Sequence, residues 1–180
     1  MSRTLTFCVL ALSLAACGAA PKRLSMEQWG TPTPQHLQLV KGAGEWTGTL
    51  TMYMPEGAQT VQATESVEAV GGLWIQSRFT CDFMGMPYLG TGCIGYDPSR
   101  GKYVGTWIDN FSAYFSWMEG DVDASGKLVM HWMGPDEATG DLVPHRSETV
   151  ETGNTRTSTF FKGAGSTQKT MVIEMKRKGG

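Results

Sequence analysis

Residues 44–54 read GEWTGTLTMYM, and from Trp46 onward small or apolar side chains alternate with threonine and tyrosine. Successive side chains of a β-strand point to opposite faces of its sheet, so this period of two predicts a strand with one buried face. That face would carry Trp46, Gly48, Leu50, Met52 and Met54.

Nine further strands are predicted downstream, at the short and regular spacing that is typical of antiparallel barrels and sandwiches. They cover residues 60–70, 73–83, 88–96, 102–109, 113–121, 127–133, 142–149, 155–161 and 168–177. The segments between them are rich in glycine, proline and aspartate, as at residues 55–57 and 97–101. Such short links favour an up-and-down meander, and a meander of about ten strands closes most naturally into a barrel, which leaves no exposed edge. The predicted fold is therefore all-β, an antiparallel up-and-down barrel, preceded by a short helical turn over residues 35–41.

The N-terminal segment has the features of an export signal. Arg3 is followed by an apolar run over residues 5–14, which is too short to cross a bilayer as a helix. The run ends in Leu14-Ala15-Ala16-Cys17, which resembles the lipobox of bacterial lipoproteins. The resemblance implies cleavage before Cys17, acylation of that residue and a protein tethered to a membrane by lipid. A plain secretory signal with a coincidental cysteine is the alternative.

Three parts of the chain are predicted: a signal peptide over residues 1–16, a tether over 17–34 and one barrel domain over 35–178. The tether carries prolines, small residues and mixed charges without periodicity, so no fold is expected there. Gly18 after the cysteine permits sorting to the outer membrane of a Gram-negative cell, facing the periplasm. Removal of the signal would change the formal net charge from −2 to −3. This mildly acidic balance argues against a nucleic-acid partner.

Cys81 and Cys93 form a candidate disulfide, since the other two cysteines would be removed or lipidated. An oxidising envelope compartment favours the pair. The simplest strand register argues against the disulfide. A hairpin turning at residues 84–87 would pair Phe83 with Tyr88 and leave Cys93 on the opposite face of the sheet from Cys81. A bulge or an odd-length turn would be needed, so both states remain open.

Gly44-Glu45-Trp46, directly after the helical turn, resembles the Gly-x-Trp signature of lipocalins and the wider calycin group. In that group the tryptophan closes the barrel and packs against a basic side chain late in the chain. Here the resemblance implies Lys176 or Arg177 for that contact. Gly44, Trp46 and Arg177 are therefore interpreted as the barrel signature.

A longer resemblance, from about residue 36 to residue 178, is to the bacterial domain-of-unknown-function family 1579. The segments that carry it are residues 36–40, 44–48, 84–88, 95–97, 103, 106–109 and 169–178. It implies a calycin-like barrel and no known activity. His145, Cys81 and Cys93 depart from the family pattern, so no role is transferred to them.

Motifs of high specificity for an enzyme or a metal site are absent from the sequence, among them a nucleophile elbow, a phosphate loop and Cys-x-x-Cys. His131 and His145 fall in predicted strands, where a barrel-facing imidazole could ligate haem iron as in the nitrobindin relatives of calycins. A hydrogen-bonded structural histidine is the commoner case. Met52 and Met54 share a face that could hold cuprous ion, but they continue the apolar face of their strand and are interpreted as core or cavity lining. No cofactor, metal or catalytic residue is predicted.

An internal cavity is predicted from side chains that share inward parity and combine an apolar wall with few polar groups. Its predicted lining is Met52, Met54, Phe79, Tyr96, Trp107 and Asp109. For Asp109, capping of the turn at Asn110 is the alternative role. The preferred function is non-catalytic binding of a small apolar or amphipathic ligand by a lipid-anchored envelope protein. The alternative is a barrel filled by its own side chains that serves as a structural or interaction module.

Overall fold

Ten antiparallel strands close into one barrel in the computed structural model, which describes residues 20–179. The strands are β1 (Gly44–Met54), β2 (Gly57–Val70), β3 (Trp74–Phe83), β4 (Met86–Asp97), β5 (Lys102–Asp109), β6 (Ser116–Val122), β7 (Leu128–Pro135), β8 (Leu142–Thr152), β9 (Thr155–Lys162) and β10 (Lys169–Arg177). Each strand pairs with its neighbours in sequence, and β1 pairs with β10 to close the ring. The predicted all-β up-and-down barrel is confirmed. The predicted signal peptide and Cys17 lie outside the described residues.

Two short helices precede the barrel, α1 (Met26–Gly30) and α2 (Pro34–Val40). The expectation that the segment before residue 35 has no fold is wrong, because α1 forms there. Ser25 caps it: the Ser25 Oγ accepts from the backbone N–H of Gln28 at 3.2 Å, and the Gln28 side chain accepts from the N–H of Ser25 at 2.8 Å. Neither described helix is long and apolar enough to cross a membrane.

One end of the barrel is closed by α2 and by Trp46. We call this the closed end; β1 begins there and β10 finishes there, and the opposite end is the open end. Leu39 and Val40 of α2 pack against the buried core. His36 is buried and meets the ring of Tyr96 edge-on, with centroids 5.7 Å apart. The helix therefore acts as a plug.

Trp46 is fully buried between two guanidinium groups. Arg156 and Arg177 each lie 4.4 Å from its ring, and its indole N–H donates to the carbonyl of Gly42 at 3.0 Å. Arg177, and not Lys176, faces Trp46, because Arg177 lies directly opposite it in the β1–β10 register while Lys176 points outward. Gly44 also lies close to Arg177: a Cβ at Gly44 would fall 2.7 Å from the Arg177 Nη1.

The β3–β4 hairpin turns on two residues, Met84 and Gly85, with φ of 57° and 83°. The expected four-residue turn that pairs Phe83 with Tyr88 is wrong, because Tyr88 lies opposite Cys81. Two positive φ values identify the tight turn that matches the strand twist.

The candidate disulfide is wrong as well. Both thiols are free, and the register directs Cys81 into the barrel and Cys93 out of it. Side chains on opposite faces of a sheet cannot be bridged. Partial burial raises the pKa of both thiols.

Candidate ligand cavity

The six residues predicted to line a cavity all have inward parity in the observed register. Their positions along the barrel differ, however. Met52, Met54, Trp107 and Asp109 lie in the half nearer the open end. Phe79 is fully buried in the core, and Tyr96 packs against α2 at the closed end. Met52 and Trp107 both pack against the buried core that contains Phe79.

The burial of inward side chains decreases along the barrel axis. The buried core lies towards the closed end and consists of Trp46, Leu50, Ala63, Val67, Ile75, Phe79 and Met175. Nearer the open end, several apolar side chains point inward yet stay only half-buried: Met52, Val61, Met118, Trp132, Phe160, Met171 and Ile173. Barrels of eight strands have an interior just wide enough to be filled by side chains, and diameter grows with strand number. A ten-stranded barrel is wider than one of eight, and these inward side chains stay partly accessible to solvent.

Trp107 points into the barrel next to β4. Its ring lies directly on the glycine backbone of β4, since a Cβ at Gly90 would fall 2.2 Å from the ring and one at Gly92 would fall 2.5 Å from it. Two glycines at inward positions are what allow an indole to lie flat against the sheet. Its N–H donates to the hydroxyl of Tyr88 at 3.1 Å.

Tyr88 links Trp107 to the one carboxylate of the mouth. Its O–H donates to Asp109 at 3.3 Å, and burial raises the pKa of Tyr88 well above its usual value, which keeps the hydroxyl protonated. The other oxygen of Asp109 accepts from the backbone N–H of Phe111 at 2.9 Å and of Ser112 at 3.0 Å. Asp109 therefore caps the turn after β5, and the register directs its side chain into the barrel.

Trp132 and His145 form a second aromatic surface. Their rings stack with centroids 5.5 Å apart, and Phe160 meets Trp132 edge-on at 6.3 Å. Burial lowers the pKa of His145, so the ring is neutral near pH 7, and its buried Nε2 has no hydrogen-bond partner. His131, the other strand histidine weighed from the sequence as a haem ligand, points outward and is exposed, so it cannot reach the interior.

Inward-facing cationic side chains in the described barrel are already paired. Arg156 forms an ion pair with Glu65, and Arg177 lies 3.4 Å from Glu151. Lys162 at the open end binds Asp136 at 3.0 Å and also Glu137. Asp109 is not among the described ion pairs. Among the described inward side chains of the open half, Asp109 is therefore a carboxylate outside these ion pairs, and Lys162 is a cation already paired with carboxylates.

Comparison with protein-family models gives a match over residues 31–177 to DUF1579, described as a protein of unknown function. The chain belongs to this family. The DUF1579 match contains all ten strands and helix α2, and its limits differ by only a few residues from the predicted domain 35–178. No curated protein matches the chain significantly.

Within the DUF1579 domain, the segments that carried the resemblance lie at two structural positions. One group builds the closed end, around His36, Trp46 and Arg177. The other lies on β4 and β5 around the hydrogen bond between Trp107 and Tyr88. The segments that resemble the family therefore lie at the closed end of the barrel and around Tyr88 and Trp107.

Sequence reasoning missed several residues of both positions. Tyr88, Gly90 and Gly92 carried a readable signal, since two glycines spaced by one residue in a strand indicate close approach by another group. No sequence signal pointed to Arg156, because its position over Trp46 depends on the β9–β10 register. The stack of Trp132 on His145 likewise depends on the pairing of β7 with β8.

Proposed function

We propose that the barrel binds a small apolar or amphipathic ligand in its open half and has no catalytic role. The observation that carries this proposal is the set of inward apolar side chains that remain half-buried near the open end. Buried apolar area contributes about 25 cal/mol per Å², so a ligand that covered these side chains would gain most of its affinity from burial. A concave apolar space with few polar groups is the usual form of a small-molecule site.

The charged side chains in the open half of the barrel favour some classes of ligand over others. A carboxylate or sulfonate entering the cavity would lose water and find Asp109, while Lys162 is already bound to Asp136 and Glu137. Burying a charge without a partner is costly. A neutral or cationic amphiphile, with a donor directed at Asp109, fits the wall better than an anion does.

The proposed setting is the cell envelope. The lipobox resemblance supports a lipid anchor at Cys17, and Gly18 supports an outer-membrane address facing the periplasm. Labelling of growing cells with an alkynyl fatty acid tests the anchor. Wild type should incorporate the label and Cys17→Ala should not; equal label in both contradicts the anchor.

Probe binding tests the cavity. The neutral dye N-phenylnaphthylamine should bind the purified protein with one saturable site, and its anionic sulfonate relative should bind more weakly. Trp107→Ala should weaken binding of the neutral dye about tenfold, which corresponds to roughly 1.4 kcal/mol of lost contact. Trp74→Ala is the matched control, since Trp74 is exposed on the outside of β3 and should leave binding unchanged.

Two results would count against the cavity. Saturable binding that is unaffected by Trp107→Ala places the site elsewhere. A folded barrel that binds neither dye supports the alternative, a structural or interaction module of the envelope.

A further inference from the structure

One side of the outer wall is apolar. Six large apolar side chains on or next to β4, β5, β6, β7 and β8 point outward in the half nearer the open end, and each is between 37% and 58% exposed. We call this set the apolar wall: Leu89, Ile108, Phe115, Trp117, Met133 and Leu142. Exposed apolar surface that is contiguous over several strands marks an interaction site.

The strand register brings part of the apolar wall together. Trp117 on β6 lies opposite Thr106 on β5, and Ile108 lies two residues further along that strand on the same face. Met133 points outward on β7, two residues beyond the Glu119–His131 pair at which the β6–β7 pairing ends. The register therefore joins Ile108 and Trp117 on one face of β5 and β6, and Met133 lies on the next strand.

The opposite side of the barrel is polar. Two depressions of about 340 and 360 Å³ lie there, and both are bordered by Thr47. Outward side chains of β1, β9 and β10 form a regular polar surface: Thr47, Thr49, Thr51, Thr155, Thr157, Glu174 and Lys176. Val70 and Trp74 are further exposed apolar side chains, paired at the closed ends of β2 and β3, so the polar face is the one formed by β1, β9 and β10.

The N-terminal segment reaches the barrel on the same side as the apolar wall. The backbone N–H of Lys22 donates to the carbonyl of Ser99 at 2.9 Å, in the turn that joins β4 to β5 at the closed end. Five residues separate Lys22 from Cys17, a span of at most about 18 Å. An anchor at Cys17 would therefore hold the closed end of this wall near the bilayer.

The charges on this side suit a bilayer surface. Lys22 and Arg23 are exposed, and basic residues next to an anchor are attracted to anionic lipid. Between them and the apolar wall, outward charges are neutralised in the pairs Arg100–Glu119 and Lys102–Asp121.

We propose that the apolar wall is the surface on which the barrel lies on the lipid bilayer. The proposal rests on the lipid anchor proposed above and adds an orientation to it: anchor and basic residues at the closed end, Trp117 and Phe115 in the head-group region. Aromatic side chains prefer this region because one part of the ring is apolar and another is polar. The mouth of the cavity, with Phe111 at its rim, then opens beside the membrane, where an apolar ligand is available.

Quenching of Trp117 by brominated lipid tests the contact. The lipidated protein, purified from its membranes, is reconstituted into vesicles of phosphatidylethanolamine and phosphatidylglycerol with some acyl chains brominated near the head group. The emission of Trp117 is the difference between wild type and Trp117→Phe, and that of the control Trp74 is the difference from Trp74→Phe. The Trp117 emission should fall by about half or more, as for an interfacial tryptophan, and the Trp74 emission should change little.

A charge placed in the wall gives a second measurement. Ile108→Glu should reduce the quenching of Trp117, whereas Tyr53→Glu, exposed on the polar side at β1, should leave it unchanged. Protein that floats with the vesicles but shows unquenched Trp117 overturns the proposal and leaves the wall to a protein partner or a second copy, with the anchor intact. Protein that does not float overturns both the orientation and the anchor.

Discussion

Trp46 connects three segments of the chain at the closed end. Its ring lies between Arg156 from β9 and Arg177 from β10, and its N–H is bound to Gly42 after α2. Burial raises the pKa of Glu65, while the adjacent Arg156 acts in the opposite direction. Arg156 and Glu65 form an ion pair. Removal of one partner from a buried ion pair costs about 3 to 5 kcal/mol, because the other charge is left without compensation.

Truncation of Trp46 should be among the most destabilising single changes in the barrel. We expect Trp46→Ala to lower the free energy of unfolding by about 3 to 5 kcal/mol, through the loss of a large buried side chain and of both cation-π contacts. A denaturant titration measures this. Trp117→Ala, at an exposed tryptophan, should change stability by only about 0.5 kcal/mol. A loss of less than about 1 kcal/mol for Trp46→Ala would contradict the role of Trp46 in closing the barrel.

The stacked His145 should make stability depend on pH. Burial lowers its pKa in the folded state, and in the unfolded chain it titrates near its usual 6.5. Between these two values the unfolded state binds more protons, so stability falls as the pH decreases below about 6.5 and is fully present above it. His145→Gln should flatten the loss of stability between about pH 7 and pH 5, whereas His131→Gln, on the exposed outer face, should keep the wild-type profile. Identical profiles for wild type and His145→Gln would contradict this.

The strands follow from period and turn chemistry, and this is where the sequence was most informative. The limits of β5 were predicted to the residue, and the inward parity of Met52 and Trp107 followed from alternation alone. The strand register was harder to predict. The turn at Met84 and Gly85 is two residues shorter than predicted, and this difference changes the partner of Cys81. The helix α1 was missed because one short capping box is a weak signal beside two prolines. The pairing of Trp132 with His145 required the closed sheet.

The β3–β4 turn contains a methionine where the backbone favours glycine or asparagine. Met84 has a φ of 57°, a conformation that costs an ordinary side chain roughly 1 to 2 kcal/mol. Met84→Asn, which creates the preferred Asn-Gly turn, should therefore stabilise the protein by about 1 kcal/mol, measured as a higher denaturant midpoint at unchanged slope. Met86→Asn is the control at an exposed methionine without positive φ, and it should give no gain. An equal effect of both changes would contradict the strain at Met84.

At the scale of the whole molecule, we expect the closed half of the barrel to serve stability and the open half to serve the proposed ligand binding. The closed half holds the buried core, the plug and two of the inward ion pairs, so substitutions there act mainly on stability. The open half holds Trp107, Tyr88 and the Trp132–His145 stack, where changes should act mainly on ligand affinity. The apolar wall belongs to the outside of this same open half.

The pairing of β1 with β10 also determines how the chain reaches this structure. Nine pairings join strands that are adjacent in sequence, whereas the tenth brings Trp46 to Arg177 across most of the chain. Contacts between distant residues form slowly, because the loop entropy is lost before the contact is made. We expect the pairing of β1 with β10 to form in the last and slowest phase of refolding. The fluorescence of Trp46 should report this phase, because its guanidinium partners belong to β9 and β10. In stopped-flow fluorescence, the slowest phase should disappear in Trp46→Phe and persist in Trp117→Phe; a slow phase carried by Trp117 would place the late step elsewhere.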